Sequence, residues 1–120
     1  MFSNILSYPS LVASSRLSEN EFCRTLLAER NFRFPSLEEL ICALQSEAGH
    51  VEDWLKYSED RRMTPAFYLR KKGASFEVGY RSKSEIEKVG VYDDAGFACA
   101  LFIKLKLEHR FLILSAHDER

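Results

Sequence analysis

The sequence is poor in the residues that build metal, cofactor and nucleophile sites. In 120 residues there are three cysteines, three histidines, three prolines, five glycines and one tryptophan. His50, His109 and His117 are far apart, and no two cysteines lie within a few positions of each other, so the paired ligand spacing of a zinc site is missing. G-x-S-x-G, C-x-x-C and H-E-x-x-H do not occur, and neither catalysis nor a cofactor is expected. An odd cysteine count excludes full pairing within one chain. Cys23, Cys42 and Cys99 each sit among apolar residues in segments that read as helical, where a free thiol packs as a small hydrophobe. That usage points to a reducing compartment, and a cytoplasmic location is the expectation.

Long apolar runs are missing too. No stretch approaches the roughly 20 residues that cross a bilayer, so no membrane partner is expected. "MFSNILSYPSLVASS" has no basic start, and Ser3, Asn4, Ser7 and Pro9 interrupt its apolar residues, which argues against a signal peptide. Nor is there an excess of one charge: the formal net charge is -1, unlike the marked basic excess of domains given over to DNA. The distribution of that charge is uneven. From Leu37 to Asp60 seven acids (Glu38, Glu39, Glu47, Glu52, Asp53, Glu59, Asp60) face one base, Lys56. From Arg61 to Lys83 seven bases (Arg61, Arg62, Arg70, Lys71, Lys72, Arg81, Lys83) face one acid, Glu77. The two segments either form faces of opposite potential or fold against each other and neutralise.

What remains is an ordinary globular composition, 46% hydrophobic and 29% charged, without repeats. One domain over 1–120 is expected, with 1–16 and 115–120 loosely ordered. "LSENEF" carries a helix start: Ser18 as cap, Glu21 as its capping-box partner, and Leu17 set to pack on Phe22. That helix should present Phe22, Cys23, Leu26 and Leu27 and end near Asn31. "FPSLEELICAL" repeats the device with Ser36 and Glu39, then places Leu37, Leu40, Ile41 and Leu44 on one face, with Gly49 as a stop. "HVEDWLKYSEDRR" predicts one or two helical turns, and Thr64 before Pro65 must be extended.

Beyond Pro65 the period changes from helical to alternating. "AFYLR", "SFEVGY" and "EKVGVY" read as three strands of an antiparallel meander, with Gly73 turning the first hairpin. Phe76, Val78 and Tyr80 alternate with Glu77 and Gly79, as a buried and an exposed face would. Gly79 marks either a bulge or a close backbone approach. "DDAGFACALFIKLKLEH" then predicts a helix capped by Asp93 or Asp94, with Phe97, Leu101, Phe102 and Leu105 covering the sheet. Arg110 to Leu114 fits helix or strand equally. The predicted fold is α+β: N-terminal helices, a three-stranded antiparallel meander and a C-terminal helix packed on it.

Three functional readings follow from these elements. A phosphate loop at "RKKGASFEVGYRSK" fails because Gly73 leads into a strand, not into a helix N-terminus. A nucleic-acid contact through Arg70, Lys71, Lys72, Arg81 and Lys83, beside Phe67, Tyr68, Phe76 and Tyr80, requires those rings to be presented for stacking and not spent in the core. An acidic partner-binding surface at Glu47, Glu52, Asp53, Glu59 and Asp60 would have Trp54 and Tyr57 as apolar anchors, unless both rings are core.

"TPAFYLRKKGASFEVGYRSKSEIEKVGVYDDAGFACALFIKLKL", Thr64 to Leu107, resembles small bacterial immunity proteins of contact-dependent growth inhibition and other polymorphic toxin systems. The shared pattern is an extended Pro-aromatic segment, a hairpin ending in "EVGY", a strand closing in "YDD" and an aromatic-rich helix, and the acidic "VEDWLKYSEDRR" before it fits as well. The resemblance covers about half the chain and its motifs are structural. It implies a stoichiometric inhibitor whose partner is the C-terminal effector domain of a cognate toxin, a nuclease by preference. It transfers no functional residue, because such proteins vary in fold and binding site.

Overall fold

The computed structural model describes residues 3–29, 32–60, 66–82 and 84–118. Short helices α1 (Ser3–Leu6) and α2 (Tyr8–Ser14) are followed by α3 (Glu19–Leu27), α4 (Leu37–Ser46) and α5 (Gly49–Asp60). Strands β1 (Ala66–Lys72), β2 (Ser75–Arg81) and β3 (Ile86–Tyr92) form one antiparallel sheet in sequence order, with β2 central. The chain ends in α6 (Ala95–Ile103), a π-helical turn (Lys104–Glu108) and α7 (His109–Asp118), so Arg110 to Leu114 is helical. The α+β class, the antiparallel meander and the C-terminal helix on the sheet all agree with the sequence reading.

Both capping boxes form. Ser18 Oγ accepts from the Glu21 amide and the Glu21 carboxylate accepts from the Ser18 amide; Ser36 and Glu39 do the same. Asp94 caps α6 by accepting from the Gly96 and Phe97 amides at 2.9 and 3.2 Å, while Asp93 turns away to accept from Ser75 Oγ at 2.7 Å. Gly73 has φ 63°, as the hairpin between β1 and β2 requires of a residue without Cβ.

Within the segment expected to be loosely ordered, residues 3–14 carry α1 and α2, which put Ile5, Leu6, Tyr8 and Val12 into the core; their apolar side chains pin a segment too short to be helical by itself. Three expectations are corrected. Gly49 opens α5 and does not stop α4, because Glu47 has already left helical geometry at φ -131°, ψ 74°. α5 runs over the whole of Gly49–Asp60, not one or two turns. Cys42 is exposed on α4, whereas Cys23 and Cys99 are buried; α4 aims Leu40 and Leu44 inward, and Cys42 falls on its opposite side. Asn31, Arg61, Arg62, Thr64, Pro65 and Lys83 lie outside the described residues.

The core is organised around α6. Ala98, Cys99, Ala100, Phe102 and Ile103 are all buried, so this helix is covered on nearly every side. The sheet packs on it from one side, and α4 and α5 from the other. Burial of the Cys99 thiol pushes its pKa up, and the group stays a neutral packing element. Next to α6 stands Trp54, with 0% of its surface exposed, stacked on Tyr8 and edge-on to Tyr57 and Phe102. Its indole N–H donates to the Leu6 carbonyl at 3.1 Å, which ties α1 to α5.

α5 also covers a sheet edge. The hydroxyl of Ser58, buried on α5, accepts from the Leu69 amide of β1 at 2.8 Å. An edge-strand donor that no neighbouring strand reaches is thereby satisfied inside the protein. Replacing Ser58 with Ala should lower stability by about 1–3 kcal/mol, the usual cost of a buried donor left without its partner. The expected readout is a lower urea midpoint at unchanged slope; an unaltered midpoint would mean that the Leu69 amide finds water instead.

Candidate interaction faces

Strand register sorts the sheet residues onto two faces. Phe67, Leu69, Phe76, Val78, Tyr80 and Tyr92 share the face that meets the helices. Tyr68, Arg70, Lys72, Glu77, Gly79 and Arg81 share the outward face, joined on β3 by Ile86, Lys88 and Val91. Phe67, Phe76 and Tyr80 therefore pack toward the core, and Lys71 falls on the same side in an exposed position near the hairpin. Of the nucleic-acid candidates, Arg70, Lys72 and Arg81 come together on the outward face, Lys71 does not, and Lys83 is outside the described residues.

Alternation predicts a wet outward face, yet Glu77 is only 1% exposed there. Its carboxylate accepts from the Tyr68 hydroxyl, from Arg70 Nη2 at 2.9 Å and from Lys72 Nζ at 3.5 Å. Tyr68 is itself covered: the guanidinium carbon of Arg81 lies 4.9 Å from its ring centroid and that of Arg70 5.5 Å. The cover is one layer of long side chains whose charged ends remain in solvent. A Cβ on Gly79 would sit 2.5 to 2.7 Å from the Tyr68 ring and hydroxyl, so Gly79 is required for Tyr68 to lie across the strand. Register shifts beside it, between Val78 and Gly79, opposite Val89 of β3. The register irregularity expected at Gly79 is there, but what comes close to it is the Tyr68 side chain and not another backbone.

This arrangement sets the local proton affinities. Hydrogen bonding from Tyr68, then the charges of Arg70 and Lys72, hold the Glu77 carboxyl below its usual range against the opposing effect of burial. Burial first, and the bond to Glu77 second, push the Tyr68 phenol up to about 12. Glu77 is thus an anion and Tyr68 a donor near neutral pH.

The acidic segment is placed differently. Val51, Trp54, Leu55, Tyr57 and Ser58 form the buried side of α5, and Glu52, Asp53, Lys56 and Glu59 its exposed side, with Glu47 exposed just before it. The side chain of Asp60 is outside the described residues. Trp54 and Tyr57 are core, which removes them as surface anchors: Trp54 packs among Tyr8, Tyr57 and Phe102, and the Tyr57 hydroxyl donates to Glu19. The Glu47 carboxylate meets His50 Nε2 at 2.8 Å within the same turn.

Sequence reasoning missed two features assembled from distant positions. Glu19 receives the hydroxyls of Tyr8 and Tyr57 and lies 3.6 Å from Arg110, linking α2, α3, α5 and α7 through one carboxylate. Beside it a cleft of about 500 Å³ opens between Ala66, Phe67 and Tyr80 of the sheet and Lys106, His109, Arg110, Ile113 and Leu114 of the C-terminal helix, with Asn20 at its rim. Arg110 is held there by Asn20 Oδ1 at 2.9 Å, and Lys106 lies 5.8 Å from the Tyr57 ring. No local spacing signals either feature; only the polarity of Glu19 and Arg110 within otherwise amphipathic helices hints at them.

Among the described residues no helix is long and apolar enough to cross a membrane, and no group of three or more His, Cys, Asp or Glu side chains is placed to hold a metal ion. Comparison with protein-family models, curated proteins and solved structures finds no match to this chain.

The Glu77 cluster makes a pH-dependent prediction. A carboxyl with a lowered folded-state pKa adds stability above its unfolded value, ordinarily 4.5, and that increment disappears as pH falls through the folded value. Glu77→Gln should cost about 1–3 kcal/mol at neutral pH, as for hydrogen bonds to charged groups. The gap from the wild type should close progressively below pH 4.5 in urea titrations. A gap independent of pH would show that the Glu77 charge is not the stabilising element.

Proposed function

We propose that this chain is an immunity protein, a stoichiometric inhibitor that binds the C-terminal effector domain of a cognate toxin and acts by occlusion rather than catalysis. The observation that carries this reading is the exposed side of α5. Glu52, Asp53 and Glu59 stand in solvent there with Glu47 close by, on a helix whose other side is locked by Trp54 and Leu55. A rigid acidic ridge suits a basic partner such as the substrate cleft of a nuclease, because complementary charge steers encounter and excludes wrong partners. With Trp54 and Tyr57 in the core, binding energy has to come from charge and from how firmly the helix is held. The likeness of Thr64 to Leu107 to immunity proteins of growth-inhibition systems supports the same class, and a cytoplasmic site of action goes with it.

Co-expression with any toxin effector domain encoded beside this gene tests the proposal. Restored growth together with co-purification of the two chains is expected; failure of both with a toxin of verified activity overturns it. Within a working pair, Glu52→Lys with Asp53→Lys should slow association about tenfold or more at low salt and much less at high salt, with a smaller effect on dissociation. Equal association rates for variant and wild type would move the interface away from α5.

A further inference from the structure

Three exposed branched side chains project from β3: Ile86 at 58% and Val91 at 44% exposure on the outward sheet face, and Val89 at 48% at the register irregularity between them. They are half of the large hydrophobics exposed among the described residues, the others being Leu17, Leu112 and Ile113. Exposed apolar side chains gathered on one strand mark an interaction surface more often than scattered ones do. Register sets them beside cations: Ile86 pairs with Arg81, Val91 with Glu77, and Lys88 with Gly79, next to Tyr68. Four cations, Arg70, Lys72, Arg81 and Lys88, share this face with the apolar strip, while Glu77 is sealed beneath Arg70 and Lys72. Glu85 precedes the strip in the turn before β3, Glu87 pairs with Tyr80 and so falls on the opposite face, and Asp93 is bonded to Ser75.

We propose that the outward face of the sheet is a docking surface for an acidic protein segment that presents branched apolar side chains between its carboxylates. Charge complementarity selects the acidic partner. Glu77 neutralises the inner side of Arg70 and Lys72 and so orients them, while the Arg81 guanidinium lies over the Tyr68 ring; these three cations are placed before any partner arrives. The strip of Ile86, Val89 and Val91 selects a protein over a nucleic acid. Single-stranded nucleic acids bind basic surfaces by stacking bases on rings, and the rings here are turned inward or, at Tyr68, already covered by guanidinium. The irregular register beside Val89 twists β3 at its free edge, a device that discourages strand addition and leaves the face as the usable surface. This surface is distinct from the acidic side of α5, and the proposal stands or falls independently of the inhibitory reading.

Methyl and backbone NMR of the full chain tests it, with three probes: a short peptide alternating glutamate with valine, an all-glutamate peptide of equal charge, and oligouridylate. The alternating peptide should shift Ile86, Val89 and Val91 at low salt and bind about tenfold more tightly than the all-glutamate peptide. Lys88→Glu and Arg81→Glu should each weaken it about tenfold, as reversal of an interfacial charge does. Val89→Ser with Val91→Ser should abolish the preference between the two peptides. Lys88, Val89 and Val91 are exposed, so Lys88→Glu and the double serine variant are expected to keep the wild-type spectrum elsewhere. The proposal is overturned if neither peptide shifts this face, if both peptides bind equally, or if oligouridylate binds more tightly than either. It is also overturned if the same signals move on raising protein concentration alone, which would make a second copy the occupant.

Discussion

A helix that is apolar all round has to be covered all round, and α6 imposes that constraint on every other element. Its run "AGFACALFI" contains no charged side chain, so no orientation leaves a polar stripe for water. One side is met by the sheet and the other by α4 and α5. Two layers are the smallest arrangement that does this, and the small residues Ala98, Cys99 and Ala100 let the neighbours approach closely. The N-terminal helices are recruited by the same demand at one remove: Trp54 packs between Phe102 and Tyr8, and its indole reaches Leu6. A segment that has little helical stability alone becomes ordered because the ring beside α6 needs both cover and a hydrogen-bond acceptor.

Polar groups inside this framework act as locators. Ser58 holds α5 to the edge of β1, Glu19 gathers three helices through two phenols and a guanidinium, and Glu77 assembles the outward sheet face. Each carboxylate is compensated by more than one donor, which is the condition under which a shielded charge does not cost more than it contributes. Glu77 differs from Glu19 in what covers it. Its shield consists of the stems of Arg70 and Lys72, whose heads remain at the surface, so the same side chains that satisfy the acid also define the charge presented outward.

How much of this the sequence revealed depended on whether the signal was local. Ser18 with Glu21 and Ser36 with Glu39 start helices through contacts three residues apart, and both were legible. The three strands and the Gly73 turn were legible for the same reason. Gly49 misled because a glycine permits a helix end without demanding one. Residues 1–16 looked weak because what holds them, Trp54, lies far along the chain. Glu77 and Gly79 looked like the wet side of a strand; that pattern could not show Tyr68 lying across Gly79 with arginines above it, since the cross-strand partner decides it. Of the candidate acidic surface, the carboxylates were legible as exposed, while Trp54 and Tyr57 shared their segment but not their side of the helix.

The two oppositely charged segments illustrate why sign along the chain does not determine sign on the surface. Neutralisation by mutual packing would have required the acids of α5 to face β1, but the side of α5 that faces β1 is the one carrying Leu55 and Ser58. The helical period therefore sends Glu52, Asp53 and Glu59 outward, and the strand period sends Arg70, Lys72 and Arg81 to the sheet face turned away from the helices. Glu77, which shares their strand face, is paired with Arg70 and Lys72. At physiological ionic strength the screening length is about 8 Å, so charges on surfaces separated by a helix layer and a sheet act nearly independently. A chain of net charge -1 thereby carries exposed acids on one side of α5 and exposed bases on the outward sheet face.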